Sequence, residues 1–115
     1  MSIPIVYIAG PYRAPNAWER EKNIRTAEQL AFKVWNMGAA VLCPHSNTRF
    51  FDGAIPDETI LQGCIAMMSR CDAVFMAPNW QKSEGARNER RVADKRDIFV
   101  TDSLAELRRI LQFYL

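Results

Sequence analysis

Residues 71–89 read C-D-A-V-F-M-A-P-N-W-Q-K-S-E-G-A-R-N-E, and the order of residue types in this stretch decides the fold. The unbroken apolar run from Ala73 to Ala77 suits a strand covered on both faces. Pro78, Asn79 and Trp80 form a loop, and Ser83 is a good N-cap for a helix reaching about Lys95. On a 3.6-residue wheel Ala86, Glu89, Val92 and Ala93 share one stripe, with Glu89 near its middle. The spacing therefore predicts a carboxylate on the face that meets the sheet. That position is costly unless the acid is paired or opens on a cleft. It implies either an ion pair with Arg13, Arg87 or Arg90, or a place at the mouth of a ligand crevice. Strand, loop and helix in that order lead to the carboxyl end of a parallel sheet, where open α/β folds bind ligands.

Upstream, residues 3–9 (I-P-I-V-Y-I-A) form a short β-branched run with Pro4 at its start, where a missing donor is tolerated. Residues 10–16 follow as a turn-rich loop, whose Gly10 permits close backbone approach and whose Arg13 offers a planar fork to phosphate or carboxylate. Asn16 can cap a long helix over 16–37 with Ile24, Ala27, Leu30, Ala31, Val34 and Trp35 as its apolar stripe, Trp35 being read as core. Gly38 fits the C′ position, residues 39–43 read as a second strand, and residues 44–48 as a polar loop carrying His45, the single histidine. His45 is read as a surface group or a substrate contact. Residues 49–56 have the turn chemistry of Asp52-Gly53 and two aromatics, Phe50 and Phe51, as in a flap or a packed loop. Helical spacing resumes over 57–70, and past the central stretch come a strand at 97–101 and a last helix capped by Asp102 or Ser103.

The alternation βαβαβαβα with helix-length crossovers predicts an α/β fold: a three-layer, doubly wound, flavodoxin- or Rossmann-like parallel sheet of four strands in the order 2-1-3-4. Its length of 115 residues allows one domain, spanning 1–115, with no internal repeats. Lys+Arg 15 against Asp+Glu 13 leaves a net charge of +2, which asks for neither a nucleic-acid nor a membrane partner. No apolar run approaches the roughly 20 residues of a membrane span, and the first residues lack a signal peptide's basic flank. Cys43, Cys64 and Cys71 form no zinc spacing and read as reduced thiols of a cytoplasmic protein, with no metal and no cofactor.

Two motifs, V-Y-I-A-G-P-Y-R ending at Arg13 and the central stretch ending at Glu89, resemble the nucleoside 2-deoxyribosyltransferase-like superfamily. Within it the chain looks most like small phage and bacterial domains of unknown function that carry a Y-I-A-G-P start, a P-H-x-N-T loop and an S-x-G-A-x-x-E helix. The resemblance covers nearly the whole chain. It implies that Glu89 attacks the anomeric carbon of a sugar, that Tyr7 orients it, and that Gly10, Arg13 and Ser83 hold a 5′-phosphate. Gly85, Asn47, His45 and Trp80 complete the implied substrate-binding set, with Trp80, Phe50 or Phe51 either stacking the base or packing. The implied ligand is a nucleoside or nucleotide. A homo-oligomer, dimer or tetramer, is expected too, because related sites are completed by a neighbouring subunit and Phe113, Tyr114 and Leu115 offer an apolar end. One position departs from the pattern: Cys64 stands where active families carry the aspartate that protonates the leaving base. Asp57, Asp52 or His45 replaces that acid, or the domain is a nucleotide-binding or sensing module that does not turn over. Asp72, at the start of the third strand, is expected to be structural.

Overall fold

A computed structural model describes residues 2–114, so Leu115 of the expected apolar end lies outside the described residues. The chain runs through β1 (Ile5–Ala9), α1 (Ala17–Trp35), β2 (Ala40–Leu42), the short α2 (Pro44–Asn47), α3 (Asp57–Met68) and β3 (Ala73–Met76). A 3₁₀ turn (Trp80–Lys82), α4 (Glu84–Lys95), β4 (Phe99–Thr101) and α5 (Leu104–Leu111) complete it. All strands are parallel in the order β2-β1-β3-β4, as the crossover argument predicts. Val6 pairs with Ala73 and Ala9 with Met76, so the two central strands end level with each other. From β1 the chain winds out to β2, and from β3 it winds the other way to β4. The carboxyl ends of β1 and β3 are therefore the point where the winding reverses.

Strand alternation divides the core in two. Val6, Ile8, Ala73 and Phe75 face α1 and α5 with Ala27, Ala31, Val34, Leu107 and Leu111. Tyr7, Ala9, Val74 and Met76 face α3 and α4 with Cys64, Met68, Ala86 and Ala93. A polar side chain at Tyr7 is thus turned toward the helix that carries Glu89.

Local chemistry sets the element ends. Asn16 accepts the Glu19 N–H at 2.8 Å to open α1, and Gly38 takes φ 96° just past it. Asp72 is structural, as expected: its carboxylate accepts the Ile5 N–H at 2.8 Å while its own N–H donates to the Ile5 carbonyl at 2.8 Å. Two readings are corrected. The polar loop after β2 is the helical turn α2, which Pro44 opens at a position needing no N–H. Trp35 is 56 % exposed rather than core, because Val34 beside it takes the buried position at the end of α1.

Candidate functional site

Ser83 fixes the start of α4 by accepting the Ala86 N–H at 3.2 Å, and the helix then carries Ala86 and Ala93 into the core beneath it. Glu89, between them on the same stripe, meets Tyr7, whose phenol donates a hydrogen bond to Glu89 Oε2. Tyr7 is fully buried, and burial followed by the Glu89 charge pushes its pKa far above the usual phenol range, so it is a neutral donor. Burial raises the Glu89 carboxyl to about 7, the Tyr7 hydrogen bond acting in the opposite direction. The expected arginine pairings are not made. Arg13 pairs with Asp57 at 2.7 Å, Arg87 donates to the Gln81 carbonyl at 2.7 Å, and Arg90 reaches Asp94 at 3.6 Å. Among the described residues Glu89 Oε1 has no hydrogen-bond or ion-pair partner. The acid at this site is held by a phenol, with one oxygen free.

Cys64 of α3 is buried beside the pair. Burial and then the Glu89 charge raise its thiol, the nearby Tyr7 hydroxyl acting in the opposite direction, so it is a neutral thiol of weak acidity. None of the three alternative acids is free. Asp57 is bound to Arg13, and Asp52 accepts the Tyr12 hydroxyl at 2.9 Å and lies 3.3 Å from Arg20. His45 is 4 % exposed, with Nε2 at 3.2 Å from the Gly10 carbonyl and 3.0 Å from that of Pro11. It is a buried loop brace rather than a surface group.

The remaining candidates separate. Gly10 is pressed against the next strand: a Cβ there would lie 2.6 Å from Ala77 Cβ, so packing alone requires glycine. Gly85 is exposed in the first turn of α4, with the Ser83 hydroxyl 4.0 Å from where its Cβ would be. Trp80 packs on the Tyr7 cluster beneath the Arg90 guanidinium at 5.0 Å, with its indole N–H buried and unpartnered. Asn47 is exposed at the end of α2. Tyr7, Glu89, Cys64 and Trp80 therefore share one cluster, whereas Arg13 belongs to the first loop, which His45 braces from beneath.

A family model described as a domain of unknown function, DUF4406, matches residues 4–102. The chain belongs to the DUF4406 family. No curated protein matches it. The matched span of this DUF4406 domain contains Tyr7, His45, Cys64, Ser83 and Glu89 and stops before α5.

Two cavities of about 300 and 290 Å³ open at the surface of the DUF4406 domain, and neither is lined by Tyr7 or Glu89. The first lies between α1 and α5 over the end of β3, bounded by Leu30, Phe75, Pro78, Trp80, Asp102 and Leu104. The second lies beside Tyr12, Arg20, Arg49, Phe50 and Asp52. Among the described residues no three of His, Cys, Asp and Glu are grouped to hold a metal ion. Sequence reasoning missed Asn23 of α1, which donates to the Tyr12 carbonyl at 3.2 Å, and the Tyr12–Asp52–Arg20 cluster. Long-range pairs of this kind leave no periodic signal.

Proposed function

We propose that the domain cleaves or transfers the N-glycosidic bond of a (deoxy)nucleoside or nucleoside 5′-monophosphate, with Glu89 as nucleophile. One observation carries this reading: Glu89, on the buried stripe of α4, is held by the Tyr7 phenol at one oxygen and has no cation paired to it. A carboxylate in that state is positioned and poorly solvated, which favours its attack on an electron-deficient carbon. In the reading, Glu89 Oε1 forms a bond to the anomeric carbon as the C–N bond breaks and its electron pair leaves with the base. Water or a second base then displaces the carboxylate. A 2′-deoxy sugar fits, since it lacks the hydroxyl that opposes positive charge at that carbon. With Cys64 a weak acid and Asp57, Asp52 and His45 engaged elsewhere, the departing base takes its proton from solvent. The resemblance of the first-strand and α4 motifs to the deoxyribosyltransferase-like superfamily supports the same assignment. The proposal includes a cytoplasmic setting and self-association.

Incubation of the protein with deoxynucleosides and their 5′-monophosphates, followed by chromatography, should show free base. Glu89→Gln should reduce release by about a thousandfold or more. A second reading, a nucleotide-binding module without turnover, is favoured by Cys64 at the acid position. It predicts ligand-dependent thermal stabilisation with no base released.

A further inference from the structure

The charges around Glu89 restrict which glycosidic bond it can break. Its neighbours are the Tyr7 phenol, buried and neutral, and the buried, neutral thiol of Cys64. Among the described residues no cationic side chain is paired to it, since Arg13, Arg87 and Arg90 go to Asp57, the Gln81 carbonyl and Asp94. Once ionised, Glu89 is therefore a half-buried negative charge with no counter-charge from these groups. No acid stands ready to protonate a departing base either. Cys64 is a weak one, and Asp57, Asp52 and His45 are engaged elsewhere.

These two features have one chemical consequence. When a carboxylate displaces a neutral base, the negative charge it loses reappears on the departing nitrogen, and solvent must supply a proton. With a base that is already a cation the charges cancel instead. The bond from Glu89 Oε1 to the anomeric carbon forms, the C–N bond breaks, and its electron pair neutralises the ring nitrogen with no proton moved. Poor solvation favours a step that cancels charge over one that carries it from atom to atom. Water then attacks the glycosyl ester, the C–O bond to Glu89 breaks, the carboxylate re-forms and one proton goes to solvent.

We propose that the substrate of Glu89 is an N-glycoside whose base is already positively charged: a pyridinium or N7-alkylated purine nucleoside, or its 5′-monophosphate. This rests on the glycosidic reading above and deepens it by naming the substrate class. Glu89 then serves as counter-charge to the bound base and as the nucleophile that releases it neutral. Cys64 suits this class, because the departing base needs no proton from it. A base that leaves this readily brings ribosides as well as deoxyribosides within the class.

The test compares nicotinamide riboside with the neutral riboside of the corresponding pyridone carboxamide and with the four deoxynucleosides, at pH 8, where Glu89 is ionised. Released base is separated by chromatography, with Glu89→Gln as the blank. Because a general acid contributes about a hundredfold or more, kcat/KM for the pyridinium should exceed that for each neutral ligand by at least about that factor. Cys64→Asp, checked for folding by circular dichroism, supplies an acid and should narrow the gap to the deoxynucleosides by about a hundredfold. A second measurement needs no change at that buried position. Wild type should bind the carbocyclic analogue of nicotinamide riboside, which it cannot cleave, about tenfold or more tighter than the carbocyclic pyridone, and Glu89→Gln should lose that preference. Deoxynucleosides cleaved as fast as the pyridinium, an unchanged gap in folded Cys64→Asp, or equal affinity of wild type for the two analogues overturns the proposal and leaves the glycosidic reading standing. No base from any ligand sinks both.

Discussion

Glu89 links stability to pH in a direction that can be worked out. Its carboxyl titrates at about 7 in the folded protein against an ordinary 4.5, because burial opposes its charge more than the Tyr7 hydrogen bond favours it. Between those values the folded chain holds a proton that the unfolded chain has released, so stability is fullest below pH 4.5 and falls as pH rises through 7. Glu89→Gln keeps an acceptor for the phenol and removes the partly buried charge. At pH 8 the variant should be more stable than wild type by about 1–3 kcal/mol in denaturant titration, with the gap fading toward pH 4.5. Activity runs the other way. A nucleophile must be ionised, so kcat/KM for base release should climb through pH 7, whereas a fall over that range would make Glu89 a general acid instead.

At the scale of the element, α4 is a positioning device whose register is set at its N-cap. Ser83→Ala removes the acceptor for the Ala86 N–H and should cost about 1 kcal/mol, with amide exchange fastest in the turn that precedes Glu89. The elements that place the site were legible because they obey a period. Continuous apolar runs gave β1 and β3, and the wheel put Glu89 among Ala86, Val92 and Ala93. Where length or pairing decides, the pattern went silent. Four-residue α2 is too short to show any period, although Pro44 was a usable start signal. Trp35 was assigned to the core on hydrophobicity, yet Val34, one step around the helix, takes the buried place. Arg13 meeting Asp57, and His45 turning under Gly10 and Pro11, join separate segments through contacts that no local spacing encodes. The pairing of Glu89 with Tyr7 came from the family resemblance. The alternation that turns Tyr7 toward α4 agrees with it.

On the scale of the whole molecule, both faces of the sheet are covered but their outer surfaces differ. The α3 and α4 side holds the Tyr7–Glu89 pair, while the α1 and α5 side leaves Phe32 68 %, Trp35 56 % and Phe113 83 % exposed toward the ends of its helices. Single exposed apolar residues are ordinary, but three aromatics on the same layer are the kind of surface that a second copy covers. We propose this face as the one through which the expected dimer or tetramer would form. Sedimentation at about 10 µM should give a mass at least twice the 13.2 kDa of the chain. Trp35→Glu with Phe113→Glu should return it to a monomer, and since both side chains are exposed the melting temperature of the monomer itself should move little. A wild-type monomer at that concentration removes the interface. A double variant that stays associated moves it to another face and reopens the question of whether a neighbouring subunit reaches Glu89.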